Sequence, residues 1–169
     1  FTTMNQRFGT QFTVVGYNYH YFDIRENCLQ FDRFYHEALQ GKELIFAGTS
    51  LGGFWAHVLG AEYRVPKAIL INPVMDPVAI LSTFKNAHNY SEKRKERIII
   101  TREKLDRYRP LSISRQYPGR RLVILTRNDD VQDFAIAAGF FKHRPDTELA
   151  VFDRGGHTID FNTHADAMA

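Results

Sequence analysis

Four short apolar runs constrain this chain more than any other feature: Glu43–Ala47 (ELIFA), Lys67–Asn72 (KAILIN), Arg121–Thr126 (RLVILT) and Thr147–Phe152 (TELAVF). A strand with one wet face alternates apolar and polar residues. A run that is apolar at successive positions is buried on both faces, the habit of parallel strands flanked by helices. Between the runs the period changes to that of a helix. Leu51, Phe54, Trp55, Val58 and Leu59 form one stripe, and Val131 to Phe141 reads as another helix. Phe31, Phe34, Tyr35 and Ala38 form a third stripe, which Gly41 can close. Phe12–Tyr19 (FTVVGYNY), β-branched and aromatic, reads as a further strand, and a last helix is expected from Asn162. The pattern predicts an α/β fold, a mostly parallel sheet with helices on both faces. Residues 78–116 break the rhythm with two polar helical patterns and no convincing strand. They predict a small helical cap over the C-terminal edge of the sheet, where ligand sites of such folds lie.

A length of 169 residues is that of one domain, 1–169, with enough chain to build a core without disulfides. At 44% hydrophobic and 24% charged it is too apolar for a disordered chain. The longest nearly apolar stretch, Phe134–Phe141, falls far short of the ~20 residues of a membrane span. The single Cys28 excludes an internal disulfide, and the first residues carry no basic-then-apolar signal pattern, so a cytoplasmic location is expected. Charge is uneven. Between Glu92 and Arg121, eleven Lys/Arg face four Asp/Glu within a chain of net +3. Such a block can steer anionic partners. Its interspersed acids, with Glu103 and Arg107 at helical i,i+4 spacing, favour a solvated, salt-bridged helix. Only Tyr108 and Tyr117 offer stacking surfaces, which argues against nucleic acid.

The chemistry is carried by Gly48-Thr49-Ser50-Leu51-Gly52, a G-x-S-x-G pattern between a buried strand and a helix. In that setting the chain reverses within a few residues and leaves the serine strained, with Oγ exposed. Side chains at Gly48 and Gly52 are expected to collide with neighbouring backbone. The helix N-terminus beside Ser50, with the Leu51 N–H at its start, suits a developing oxyanion. A serine needs a base, itself oriented by a carboxylate, and in this fold both follow in the order Ser, acid, His. Strand RLVILT is followed by Asn128-Asp129-Asp130, and strand TELAVF by Gly155-Gly156-His157. Among seven histidines, His157 is the best base, in a loop with two glycines after the last strand. His57 lies within the elbow helix and reads as a packing or surface residue; His20, His36, His88, His143 and His164 fit less well. Of the adjacent acids only one can face the histidine. Asp129 is preferred as nearer the strand end, with Asp130 the alternative, while Asp133 reads as the start of the next helix. Metal-ligand spacings and phosphate-binding glycine loops are absent, so no cofactor or metal is expected.

Three runs, GTSLGGFWA followed by LINP, TRNDDVQD, and FDRGGHTIDF, resemble the α/β-hydrolase superfamily and, within it, the small bacterial esterase-like family of the YqiA/YcfP type. The similarity runs from about Glu43 onward, and TRNDDVQD is its most specific part. It implies Ser50 as nucleophile, Asp129 as acid and His157 as base, with hydrolysis of a small carboxylic ester or thioester and no cofactor. Such hydrolases open with an apolar strand ending in His-Gly-Phe, whose last residue donates the second oxyanion N–H. That first strand is missing before Phe12, and Phe1 fits the position after His-Gly. The sequence is therefore expected to begin inside that motif, and to stop within its last helix.

Two functions follow as expectations. The first is a serine hydrolase acting through an acyl-enzyme on Ser50, with Leu51 and Phe1 N–H groups as the oxyanion hole and a small acyl ester or thioester as its partner. The second is a catalytically silent hydrolase-fold module that docks through its basic cap.

Overall fold

The computed structural model describes residues 11–19, 23–83, 89–91, 96–113 and 116–159. The first helix, α1 (Ile24–Phe34), starts where the Asp23 carboxylate accepts from Glu26 N at 3.0 Å. It runs on into a π-helical turn, Tyr35–Leu39, closed by Gln40 N donating to Tyr35 O, after which Gly41 adopts φ +80°. The remaining elements are β1 (Ile45–Thr49), α2 (Leu51–Glu62), β2 (Lys67–Ile71), α3 (Pro77–Ser82), β3 (Asn89–Ser91), β4 (Glu96–Ile98), α4 (Arg102–Asp106), β5 (Arg120–Thr126), α5 (Phe134–Phe141) and β6 (Thr147–Phe152).

The four apolar runs are the four strands of one sheet, in the order β1-β2-β5-β6, and every pairing is parallel. Register aligns Phe46 with Ala68, Leu70 with Val123, and Val123 with Leu149. One face therefore carries Phe46, Ala68, Leu70, Val123 and Leu149 into the core beneath the helices. Phe31 of α1 meets Phe46 edge-on at 5.6 Å, and Phe141 of α5 lies against the Arg121 guanidinium of β5. Ile45 and Ala47 on the opposite face are exposed and Ile69 and Ile71 only half-buried; the helix expected from Asn162 lies outside the described residues. The middle of α2 is buried on all sides, including His57. A helix apolar all round belongs inside a protein, so His57 is a packing residue, 5.5 Å ring to ring from Tyr117.

Two expectations change. Phe12–Tyr19 forms no strand; no described residue pairs with it in a ladder. Its aromatics serve as anchors instead: Tyr17 packs on Phe31 and Phe34, and Tyr19 on Trp55. Tyr17 and Tyr19 make their apolar contacts through side chains without a backbone partner, while Phe12 and Val15 stay exposed. The interval 78–116 holds two short helices, α3 and α4, but also the antiparallel pair β3–β4, with Tyr90 opposite Arg97. Leu81, Ile100, Leu105, Tyr108 and Ile113 from this interval, with Tyr117 just beyond it, share one apolar cluster with Phe54 and Trp55 of α2. Among its described charges, Arg107 pairs with Glu103 and Arg109 with Asp106, each at 2.7 Å. Among the described residues no helix is long and apolar enough to cross a membrane.

Candidate active site

In a parallel sheet every strand ends on the same edge, and the candidate residues follow from that. Ser50 leaves β1, Asn72 leaves β2, Asp129 follows β5 and His157 follows β6. Ser50 has φ 56° and ψ −125°, a left-handed backbone that a non-glycine residue adopts only under constraint. The constraint is visible. Ser50 N donates to Ile71 O at 2.9 Å, and Ser50 O accepts from Phe54 N and Val74 N, both at 3.1 Å. A Cβ on Gly48 would stand 2.2 Å from Gly52 O, so the chain closes on itself only with glycine there. The expectation for Gly52 is not met: a Cβ there would meet only Tyr19 Oη, at an ordinary 3.6 Å. The second tight position is Gly53, whose Cβ would lie 3.0 Å from Gly48 O and 3.1 Å from Pro73 Cβ. The turn reverses so sharply that helix position three, and not two, faces the incoming strand. Ser50 does not cap α2 with its side chain, and Leu51 begins the helix, so the Leu51 N–H has no intrahelical acceptor.

The Asp129 carboxylate accepts a hydrogen bond from His157 Nδ1, at 2.9 Å to Oδ1 and 3.0 Å to Oδ2. Oδ1 also accepts from Val131 N and Gln132 N, both at 2.8 Å, which fixes the carboxylate in an Asx-type turn. The aspartate side chain is 2% exposed and the imidazole 16%. A protonated Nδ1 facing a carboxylate leaves Nε2 as the basic nitrogen. Asp130 is exposed, and Asp133 caps α5 by accepting from Ala135 N at 2.8 Å. Phe1 lies outside the described residues. Among the described residues no three His, Cys, Asp or Glu side chains group so as to hold a metal ion.

Sequence reasoning passed over three residues that build this edge. Asn72, φ 40°, is buried and bonds β5 and the His157 loop; Thr126 and Asn128 hold the same loop. The available signal was an asparagine ending a buried strand directly before Pro73. Asparagine tolerates the left-handed region better than other non-glycine residues.

The elbow, the paired acid and histidine and the parallel order are those of an α/β-hydrolase fold, which solved structures share. An esterase domain of a Rhodothermus marinus protein superposes with TM-score 0.64 at 17% identity, covering 99% of this chain and 75% of that one. Est1E from Butyrivibrio proteoclasticus gives 0.61 at 14%, covering 84% of this chain and 63% of its own, so the chain spans less than two thirds of it. MGS-MChE2, an alpha/beta hydrolase enzyme from a sediment metagenome of the lagoon of Mar Chica, Morocco, gives 0.56 at 16%, covering 89% and 71%. Among curated proteins no sequence matches the chain. The chain belongs to the uncharacterised protein family UPF0227, whose model matches residues 14–168. This agrees with the YqiA/YcfP-type resemblance of the three sequence runs.

Proposed function

We propose that the protein is a serine hydrolase that cleaves a carboxylic ester or thioester of a small acyl substrate. The observation that carries this reading is the Asp129–His157 hydrogen bond on the same sheet edge as a serine held at φ 56°. In the proposed reaction, His157 Nε2 takes the Ser50 Oγ proton as Oγ attacks the acyl carbon. The Leu51 N–H receives the developing oxyanion, and the Phe1 N–H is assigned as its second donor. Collapse breaks the bond to the leaving alcohol or thiol, which receives the proton from the imidazolium. Water then repeats the sequence on the acyl-enzyme, releasing the acid and free Ser50. Asp129 holds the tautomer that makes Nε2 basic. The naming of the Rhodothermus marinus fold relative as an esterase domain supports the reading. Residues 78–116 are assigned to the acyl pocket.

A fluorophosphonate probe tests this directly. Wild-type protein is expected to be labelled and to hydrolyse short p-nitrophenyl esters, and Ser50→Ala to do neither. Equal labelling of both proteins, or of neither, sinks the reading; in the second case the silent docking module takes its place.

A further inference from the structure

The loop bearing His157 leaves a strand three places away from the one bearing Ser50. Neighbouring strands lie about 4.8 Å apart, so β1 and β6 are separated by roughly 14 Å. To serve Ser50, the chain leaving β6 must run back across the end of the sheet. It has little stiffness of its own: Gly155 and Gly156 sit at φ +140° and +64°, and the segment has no regular structure.

What holds it is Asn72. The side chain, 2% exposed, donates from Nδ2 towards His157 O at 3.0 Å, Gly156 O at 3.1 Å and Thr126 Oγ1 at 3.2 Å, two hydrogens shared among three acceptors. Its Oδ1 accepts from Thr126 N at 3.0 Å. Thr126 Oγ1 in turn donates to Gly156 O at 2.6 Å, and Asn128 Oδ1 accepts from Gly156 N at 3.0 Å. The Gly156 peptides on either side are thus gripped from β2 and from the end of β5. The backbone around Asn72 is tied to the other half of the site, because Ile71 O and Val74 N are the groups that bond Ser50. A single residue therefore joins the elbow to the histidine loop.

Its chemistry is restrictive. The position needs an acceptor towards a backbone N–H and donors towards two carbonyls, on one buried side chain, at φ 40° and before a proline. An amide meets the hydrogen-bonding demand, and asparagine also tolerates the backbone. Aspartate, of the same shape, would turn lone pairs on the carbonyls.

We propose that Asn72 is a positioning residue for the proposed hydrolase: with Thr126 as partner and Asn128 as the opposing hold, it fixes the His157 loop relative to Ser50. This rests on the serine-hydrolase reading above.

The test compares Asn72→Gly, which accepts the backbone but lacks the amide, Asn72→Asp, Thr126→Val and Thr126→Ser. Each is measured for kcat and KM on p-nitrophenyl acetate, for thermal unfolding, and for the low-field NMR resonance of the His157 Nδ1 proton. Misplacing a catalytic group by about 1 Å costs on the order of 100-fold, so kcat is expected to fall about 10- to 100-fold in both Asn72 variants while KM changes little. The low-field resonance should broaden or vanish. Thr126→Val should fall between, and Thr126→Ser, which keeps the hydroxyl donor, should recover wild-type behaviour. A wild-type kcat and an intact resonance in folded Asn72→Gly and Asn72→Asp would overturn the proposal. If neither Asn72 variant folds, Thr126→Val decides: an unchanged resonance and kcat overturn it equally. If Ser50→Ala keeps its esterase activity, the hydrolase reading fails instead. The resonance, which needs only His157 and Asp129, then decides the clamp alone.

Discussion

At Gly48 a methyl group would stand 2.2 Å from a backbone oxygen of the helix it precedes, and no side-chain motion can relieve a clash between backbone atoms. Gly48→Ala is therefore expected to lose folded protein, or several kcal/mol of stability, as overpacked sites do at their worst. Gly52, two residues after Ser50, carries no such demand. It sits in the first turn of α2 with only Tyr19 Oη at contact distance, so Gly52→Ala is expected to be neutral or to gain up to about 1 kcal/mol from helix propensity. Urea unfolding of both variants checks the contrast, and equal losses would show that the elbow is not built as described. The sequence pattern marks both glycines alike, because G-x-S-x-G is a spacing and the clash is a matter of how the chain turns. The same limit governed the site. Ser50, Asp129 and His157 could be named as candidates because few residue types do the proposed chemistry and each follows a readable strand. Asn72 was not, since its role lies in bonds to Thr126, Gly156 and His157, more than fifty residues further along the chain.

Among elements, β1, β2, β5 and β6 were readable because each is apolar at successive positions, although among the described residues only β5 is largely buried on both faces, while β1 and β6 leave one face open. The hairpin β3–β4 was not readable, since three-residue strands offer too few positions for a period. The element with most at stake electrostatically is β5, where basic residues begin a buried strand. Arg121, its side chain 2% exposed, makes a two-pronged bond from Nη2 to Asp146 at 2.7 and 2.8 Å and lies over the rings of Tyr117 and Phe141. Arg121 Nε has no partner among the described residues. Removing the aspartate leaves a buried guanidinium without its counter-charge, so Asp146→Ala is expected to cost roughly 3 kcal/mol, the lower end for buried pairs because Asp146 is 28% exposed. The double variant Arg121→Met/Asp146→Ala should recover most of that loss, since an apolar pair avoids the desolvation altogether. Denaturant titrations of the two proteins decide it. A single variant as stable as wild type would mean that the pair is solvent-relaxed.

For the molecule as a whole, the core packed against α2 holds two buried phenols, Tyr108 and Tyr117, which contribute to its response to alkali. Burial pushes the Tyr117 hydroxyl up to about 12, against a smaller opposing pull from Arg121, and burial likewise raises Tyr108 above the ordinary phenol range. Both rings are almost wholly inaccessible. A phenol whose folded value lies above its unfolded value of about 10 stabilises the fold fully below pH 10, where both states keep the proton. As pH rises from 10 towards 12 the unfolded chain ionises first, and that stability drains away. The expected loss is on the order of 2 kcal/mol for Tyr117 across this window. Tyr117 Oη has no hydrogen-bond partner among the described residues, so Tyr117→Phe also removes a buried, unpaired hydroxyl. The variant is then expected to match or exceed wild type by up to about 1 kcal/mol at pH 8, and to widen its advantage at pH 11. Urea unfolding at the two pH values gives both numbers. A constant difference between the proteins would mean that Tyr117 ionises as readily in the folded state as in the unfolded one, and that this part of the core admits water.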